Sequence, residues 1–326
     1  MGRESVVTDL IGDIGGTNAR FALVDNGSVY EIENLRGSDH ATFQDAIQAY
    51  LTMVGLPRVR TAAFAFAGPI TGDQAKLTNR PQWNFSTEEL RKSLGFERLT
   101  VVNDFYANAL ALPALESNDL FQVGTGEPQP LHNKMVLGPG SGLGVAIVAW
   151  DGASWLPLPG EGGHARVPMG QTPREDALLA RMRDRFGYVS IEHLLSGGGL
   201  TNLYDAILKV DGRADPIPEQ HAITASALSG SDPVAVEVVD LFLSFLGSVA
   251  GNLALTAMAK GGVYIAGGIV PAMPEFAARS HLRACFEGAS KMKYLLEPIP
   301  TYIITNEHPA FVGLQSLLPG KRGASA

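Results

Sequence analysis

Short apolar runs separated by glycine-rich turns organise the first third of the chain. Val6–Ile11 ends at the turn Gly12-Asp13-Ile14-Gly15-Gly16, Ala19–Val24 resumes the apolar pattern, and Asp25-Asn26-Gly27 reads as a hairpin turn into a third strand, Ser28–Ile32. Thr42–Leu51 has helical spacing. Thr61–Ala67 and Leu99–Val102 are compact apolar strands; between them Ser86-Thr87-Glu88-Glu89 is a capping box that opens a helix ending near Gly95. Farther on, Thr172-Pro173-Arg174-Glu175 opens a helix reaching Gly187, and Asp232-Pro233 opens a long apolar helix to about Ala259. Val263–Ala266 reads as a buried strand before Gly267-Gly268, Thr301–Thr305 as the last strand and Pro309–Leu318 as the last helix. This alternation predicts an α/β fold.

Met135–Leu137 begins what reads as a second copy of the first meander. Gly12 precedes Asp25 by 13 positions, and Gly138 precedes Asp151 by the same spacing. At that offset Ala19, Phe21 and Leu23 align with Val145, Ile147 and Ala149, which predicts a structural duplication.

Composition narrows the function. The 326 residues carry 25 basic and 33 acidic side chains, a net charge of −8, without a Lys/Arg-rich block, which disfavours general nucleic-acid binding. No uninterrupted apolar run approaches the ~18–20 residues of a membrane span. The polar start Met1–Ser5, followed by a stretch broken at Asp9, Gly12 and Asp13, does not read as a signal peptide. With Cys285 alone, neither an internal disulfide nor a cysteine-based zinc site is possible. These features predict a cytoplasmic protein with no membrane or nucleic-acid partner. The 37 glycines exceed the usual ~7 % share without any low-complexity tract.

Four glycine clusters, Asp13–Thr17, Gly138–Gly144, Gly197–Gly199 and Gly267-Gly268, are expected at strand ends, where bare backbone N–H groups can meet an anion. Each could also be only a tight turn. No P-loop motif, no strict Gly-x-Gly-x-x-Gly after a strand and no protein-kinase signature occurs. The segment Asp13 to Arg20 places a carboxylate, two glycines, a hydroxyl and a guanidinium within one bend. Asp13 can hold Mg²⁺ directly or through water, the glycines and Thr17 can meet phosphate oxygens, and Arg20 can neutralise a transferred phosphoryl group or simply form a surface ion pair.

That segment resembles the first phosphate loop of the sugar kinase, Hsp70 and actin superfamily. Gly12–Arg20, Val102–Ala107, Gly138–Ala146, Leu158–His164, Leu195–Tyr204 and Gly261–Pro271 together resemble the bacterial glucokinase family, in order from about residue 8 to 318. The resemblance implies two actin-like ATPase-type (ribonuclease H-like) domains flanking a nucleotide and sugar cleft. The small domain is expected over 1–112 plus 301–326 and the larger over 113–300.

The resemblance also implies the reaction: ATP-dependent phosphorylation of D-glucose at its 6-hydroxyl, feeding glycolysis, by a homodimer. Asp104 is then the general base, although a carboxylate after a strand can equally be a helix N-cap. Asn79, Asn103, Glu161, His164 and Glu192 would bind sugar hydroxyls. Taken alone, Asn79 could be a turn residue, Glu161 and His164 incidental loop polarity, and Glu192 a first-turn helix acid. Gly15, Gly16, Thr17, Asn18 and Arg20, with Gly138, Gly140, Ser141, Gly142, Gly267 and Gly268, would contact ATP, and Asp13 its Mg²⁺. Other readings are a kinase for another hexose or an N-acetylhexosamine, a sugar-responsive repressor of the related ROK group, and a non-catalytic sugar-binding protein. Such repressors usually carry an N-terminal helix-turn-helix and a cysteine-rich zinc motif, and this chain has neither; binding alone needs neither Asp104 nor Asp13.

Overall fold

The computed structural model describes residues 7–77, 80–288 and 291–319. The chain divides into two compact units, one of residues 1–115, 153–157 and 307–326, the other of 116–152 and 158–306.

In the first unit, strands β1 (Val7–Ile14), β2 (Asn18–Asp25), β3 (Ser28–Arg36), β4 (Arg58–Phe66) and β8 (Arg98–Asn103) form a sheet ordered β3-β2-β1-β4-β8. β1, β4 and β8 run parallel, while β2 and β3 complete an antiparallel meander. Strand alternation sorts β4 by size. Phe64 and Phe66 enter an aromatic core with Phe21, Phe43 and Trp83 against helix α1 (Phe43–Met53), while Ala63 and Ala65 face the other way. Those alanines admit helices α3 (Asp104–Ala111) and α11 (Pro309–Gln315), which approach so closely that a Cβ on Gly313 would strike the Ala107 carbonyl. Short strands β5 (Ile70–Thr71), β6 (Gln74–Ala75) and β7 (Phe85–Ser86) form a small separate sheet before helix α2 (Thr87–Leu94). Ser86 caps α2 by accepting from Glu89 N at 3.1 Å, and Gly95 ends it in the left-handed region, as the sequence predicts.

The second unit repeats the topology. Its sheet comprises β9 (Leu120–Val123), β10 (Lys134–Pro139), β11 (Leu143–Trp150), β12 (Trp155–Gly160), β13 (Val263–Ile265) and β14 (Thr301–Ile304), ordered β12-β11-β10-β13-β14-β9. Its first five places follow the third-second-first-fourth-fifth order of the other sheet, so the duplication is real. The gapless alignment, however, misplaces the second strand. Gly12 pairs with Phe21 nine positions on, but Gly138 pairs with Gly144 only six on, because two ladder pairs follow Gly12 where one follows Gly138 and the first turn is one residue longer. An odd slip exchanges the two faces of a strand, so Phe21 and Ile147 are not equivalent.

The domain limits expected from the sequence also change. β14 was expected with the small domain, but it pairs with β13 and β9 inside the second sheet, where Thr301, Ile303 and Ile304 are buried. Of the segment 301–326 the first unit takes 307–326, and it also takes 153–157 from the span expected in the larger domain.

Helices α4 (Pro173–Phe186), α5 (Gly197–Val210), α6 (Gln220–Ser229), α7 (Pro233–Ala257), α8 (Pro274–Arg279), α9 (Leu282–Glu287) and α10 (Lys293–Leu296) complete the second unit. By length and composition α7 could cross a membrane, although Glu237 and Asp240 interrupt its apolar run; it is the central helix of this unit's core.

Candidate functional site

Parallel strands bring their C-terminal ends to one edge of the first sheet. Ala65 of β4 is flanked by Asp13 of β1 and Val102 of β8, so the Asp13 turn and the Asn103-Asp104 junction lie at the same level. The turn is closed by Gly15 N donating to Asn18 O at 2.9 Å, and Thr17 O accepts from Gly37 N at 2.9 Å. Gly15, Gly16 and Asn18 are half-buried there, and Thr17 is exposed. Arg20, opposite Asp13 across the β1–β2 ladder, approaches it to 3.5 Å. The side chains are 40 % and 29 % exposed, so the ion pair is neither a free surface contact nor fully buried.

Asn103, not Asp104, is the N-cap of α3. Its Oδ1 accepts from Phe105 N at 2.9 Å and Tyr106 N at 3.3 Å. This removes the capping alternative for Asp104, and the Asn103 side chain also bonds the Asp104 carboxyl. Asp104 Oδ1 accepts from Phe105 N at 3.0 Å. Burial, followed by the charge of Asp13, pushes the Asp104 carboxyl up to about 7. Asp13 is itself pushed up by burial, and Arg20 and His308 hold the rise back. His308, just before α11, escaped the sequence reading; a histidine next to a proline at a helix start is visible, but nothing linear links it to Asp13.

In the second unit the β10–β11 hairpin carries Gly140, Ser141 and Gly142 at its tip, where Gly140 N donates to Gly142 O at 2.8 Å. Gly138 is not in this loop: it is buried within β10, paired with Gly144. Gly267 and Gly268 follow β13, parallel to β10, and reach the same edge. Gly267 adopts φ +83° with its Cα against Pro139 O, a place where a side chain would collide. Gly268 is exposed, with open space beside it. The Gly197–Gly199 cluster is not at a strand end. It forms the first turn of α5, capped by Ser196, and Gly197 N donates to Gly140 O at 2.8 Å.

Glu192 lies in the 3₁₀ turn Ile191–His193, and its Oε2 accepts from Leu143 N at 2.8 Å beside the hairpin tip. Glu161 and His164 flank the turn Gly162–His164, with Oε2 and Nε2 3.8 Å apart and side chains 81 % and 64 % exposed. Gly162 and Gly163 of this turn pack on β11, where their Cβ atoms would meet Val145 and the Leu143 carbonyl. Asn79 lies outside the described residues. Among the described residues no group of three or more His, Cys, Asp or Glu could hold a metal ion.

Asp13, Arg20, Asn103 and Asp104 are therefore collected on the first unit. The Gly140–Gly142 tip, Gly267, Gly268 and Glu192 are collected on the second, with the Glu161–His164 turn on the same strand β11. The profile of the glucokinase family matches residues 10–320. A glucokinase of Aromatoleum aromaticum is 44 % identical over 321 residues, 96 % of each chain. The crystal structure of a glucokinase from an Antarctic psychrotroph superposes with a TM-score of 0.85 at 33 % identity, covering 95 % of this chain and 98 % of the other. The crystal structure of a ROK family glucokinase from Streptomyces griseus in complex with glucose and AMPPNP has a TM-score of 0.65 at 20 % identity, over 97 % of this chain and 100 % of the other, a likeness of fold. Both units have the actin-like ATPase architecture, and the chain belongs to the glucokinase family.

Proposed function

We propose that this glucokinase-family chain transfers the γ-phosphoryl group of ATP to the 6-hydroxyl of D-glucose with Asp104 as general base. The observation that carries the residue assignment is the buried Asp104 carboxyl at the start of α3, which burial and the charge of Asp13 push up to about 7. A base poised there is part ionised near neutral pH and can accept a hydroxyl proton. The sugar oxygen forms the new bond to the γ-phosphorus as the bond to the ADP oxygen breaks, and the proton rests on Asp104 until solvent takes it. Asn103, Glu161, His164 and Glu192 bind ring hydroxyls. The Gly15–Asn18 turn, Arg20, the Gly140–Gly142 tip, Gly267 and Gly268 hold the nucleotide. Asn79 is retained only as a sugar contact expected from the sequence.

Mg²⁺ fits the residues present. Asp13 offers a hard oxygen donor, and a cation there would offset the burial of Asp13 and the charge that Asp13 sets against Asp104. When bound with ATP, the ion neutralises phosphate charge. The remaining parts of the proposal are a homodimer, a cytoplasmic location and a supply of glucose 6-phosphate to glycolysis. A coupled assay over a panel of hexoses and N-acetylhexosamines with MgATP tests the central reading, and absence of glucose turnover would refute it. Glu161→Ala should raise KM for glucose far more than KM for ATP. Light scattering on the purified protein tests the dimer.

A further inference from the structure

The segment Tyr188–His193 touches both groups assigned to the sugar, yet neither of its end residues is among them. Toward the Glu161 turn, Tyr188 Oη donates to His164 O at 3.0 Å. Val167 N donates to Val189 O at 3.0 Å, and Ile191 N to Ala165 O at 2.9 Å, so the chain after His164 is laced to this segment by backbone bonds. The Arg166 guanidinium lies 5.2 Å from the Tyr188 ring centre and keeps that ring in place.

Toward Glu192 the segment closes on itself. His193 Nδ1 accepts from Ser190 N at 3.0 Å, and His193 N donates to Ser190 O at 3.1 Å. Nδ1 therefore carries no proton in this arrangement. The imidazole stacks on Phe186 at 4.3 Å and 21°, and His193 O accepts from Asn202 Nδ2 at 3.0 Å. Glu192, one residue before, is held through its carbonyl by Ser196 Oγ at 2.8 Å. The imidazole nitrogen, which Ser190 Oγ also meets at 3.0 Å, is thus the side-chain contact that ties the two ends of this turn together, and the Glu192 carboxylate projects from between them.

We infer that His193 and Tyr188 are positioning residues for sugar recognition, His193 by orienting Glu192 and Tyr188 by anchoring the His164 turn. This rests on the assignment of Glu161, His164 and Glu192 to glucose. Neither residue needs to touch the sugar. Loss of the Nδ1 acceptor strands the buried Ser190 N–H and lets the turn rotate, so glucose binding suffers while the bond-making step is left intact.

His193→Phe keeps the stack on Phe186 and removes the acceptor. His193→Asn restores an acceptor at the Nδ1 position, and Tyr188→Phe deletes one hydroxyl. Glucose binding is read by calorimetry without nucleotide, and KM and kcat by coupled assay. In His193→Phe the glucose Kd and KM should rise roughly tenfold, with kcat and KM for ATP within about twofold. His193→Asn should return to within about threefold of the parent, and Tyr188→Phe should weaken glucose about threefold to fivefold.

A His193→Phe glucose Kd within about twofold of the parent, a His193→Asn chain as impaired as His193→Phe, or an equal rise in KM for ATP would each overturn the proposal. If His193→Phe melts early, Tyr188→Phe decides, and an unchanged glucose Kd there overturns it. Calorimetry reads binding alone, so a parent chain that binds glucose without turning it over defeats the kinase reading and leaves this one standing. A parent chain that binds no glucose defeats both.

Discussion

Replacing Asp104 by asparagine should make the protein more stable and nearly inactive. The carboxyl is raised from 3.8 to about 7, by burial first and by Asp13 second. At ~1.36 kcal/mol per pH unit, that rise corresponds to at most ~4 kcal/mol of unfavourable free energy in keeping Asp104 ionised in the folded chain. The sign follows from proton binding. Between about pH 4 and pH 7 the unfolded state has already lost the Asp104 proton while the folded state keeps it, so the parent loses stability as pH rises through this window, and the loss is complete above it. Asparagine is neutral throughout and can still accept from Phe105 N. Loss of a negative charge in the first turn of α3 gives back about 0.3–1 kcal/mol. Urea unfolding of the ligand-free protein should therefore show Asp104→Asn more stable by ~1–3 kcal/mol at pH 8 and equal to the parent near pH 4. Its kcat should fall at least ~10²-fold, since a general base is worth about that much or more. Equal or lower stability at pH 8 would refute the desolvation reasoning; near-parental kcat would refute the base assignment.

Parental kcat/KM for glucose should decline below about pH 7 as Asp104 takes a proton, and a flat profile from pH 5 to 8 would count against this. Asp13→Asn removes the charge that helps raise Asp104, so the acid limb of its residual activity should move to lower pH. Gly142→Ala would place a Cβ against the Glu192 carboxylate, and loss of the bond to Leu143 N should raise KM for glucose and destabilise by ~1–3 kcal/mol in urea. Gly267→Ala combines a φ of +83° with a collision at Pro139 O and should destabilise by roughly 2 kcal/mol or more, which parental urea stability would contradict.

Local patterns carry most of the element map, because capping, helical spacing and strand alternation are short-range properties. Ser86, Thr172 and Asp232 each cap the helix that the sequence starts there. The glycines around Asp13 and the acid after Val102 are legible for the same reason, since ligands bind where parallel strands end. Pairing is decided at long range. Nothing near Thr301–Ile304 says which sheet it joins; the free side of β13 and the need to bury Ile303 settle that. The hairpin slip depends on how far each ladder runs before its turn, which only the pairing reveals. Which of Asn103 and Asp104 caps α3 depends on where β8 delivers the chain against α11. The raised Asp104 carboxyl arises from burial and from Asp13, a neighbour 91 residues away in sequence. By itself the sequence determined the elements, the duplication and the residue types of the site. The tertiary structure decided partners, register and protonation, because each depends on atoms far apart along the chain.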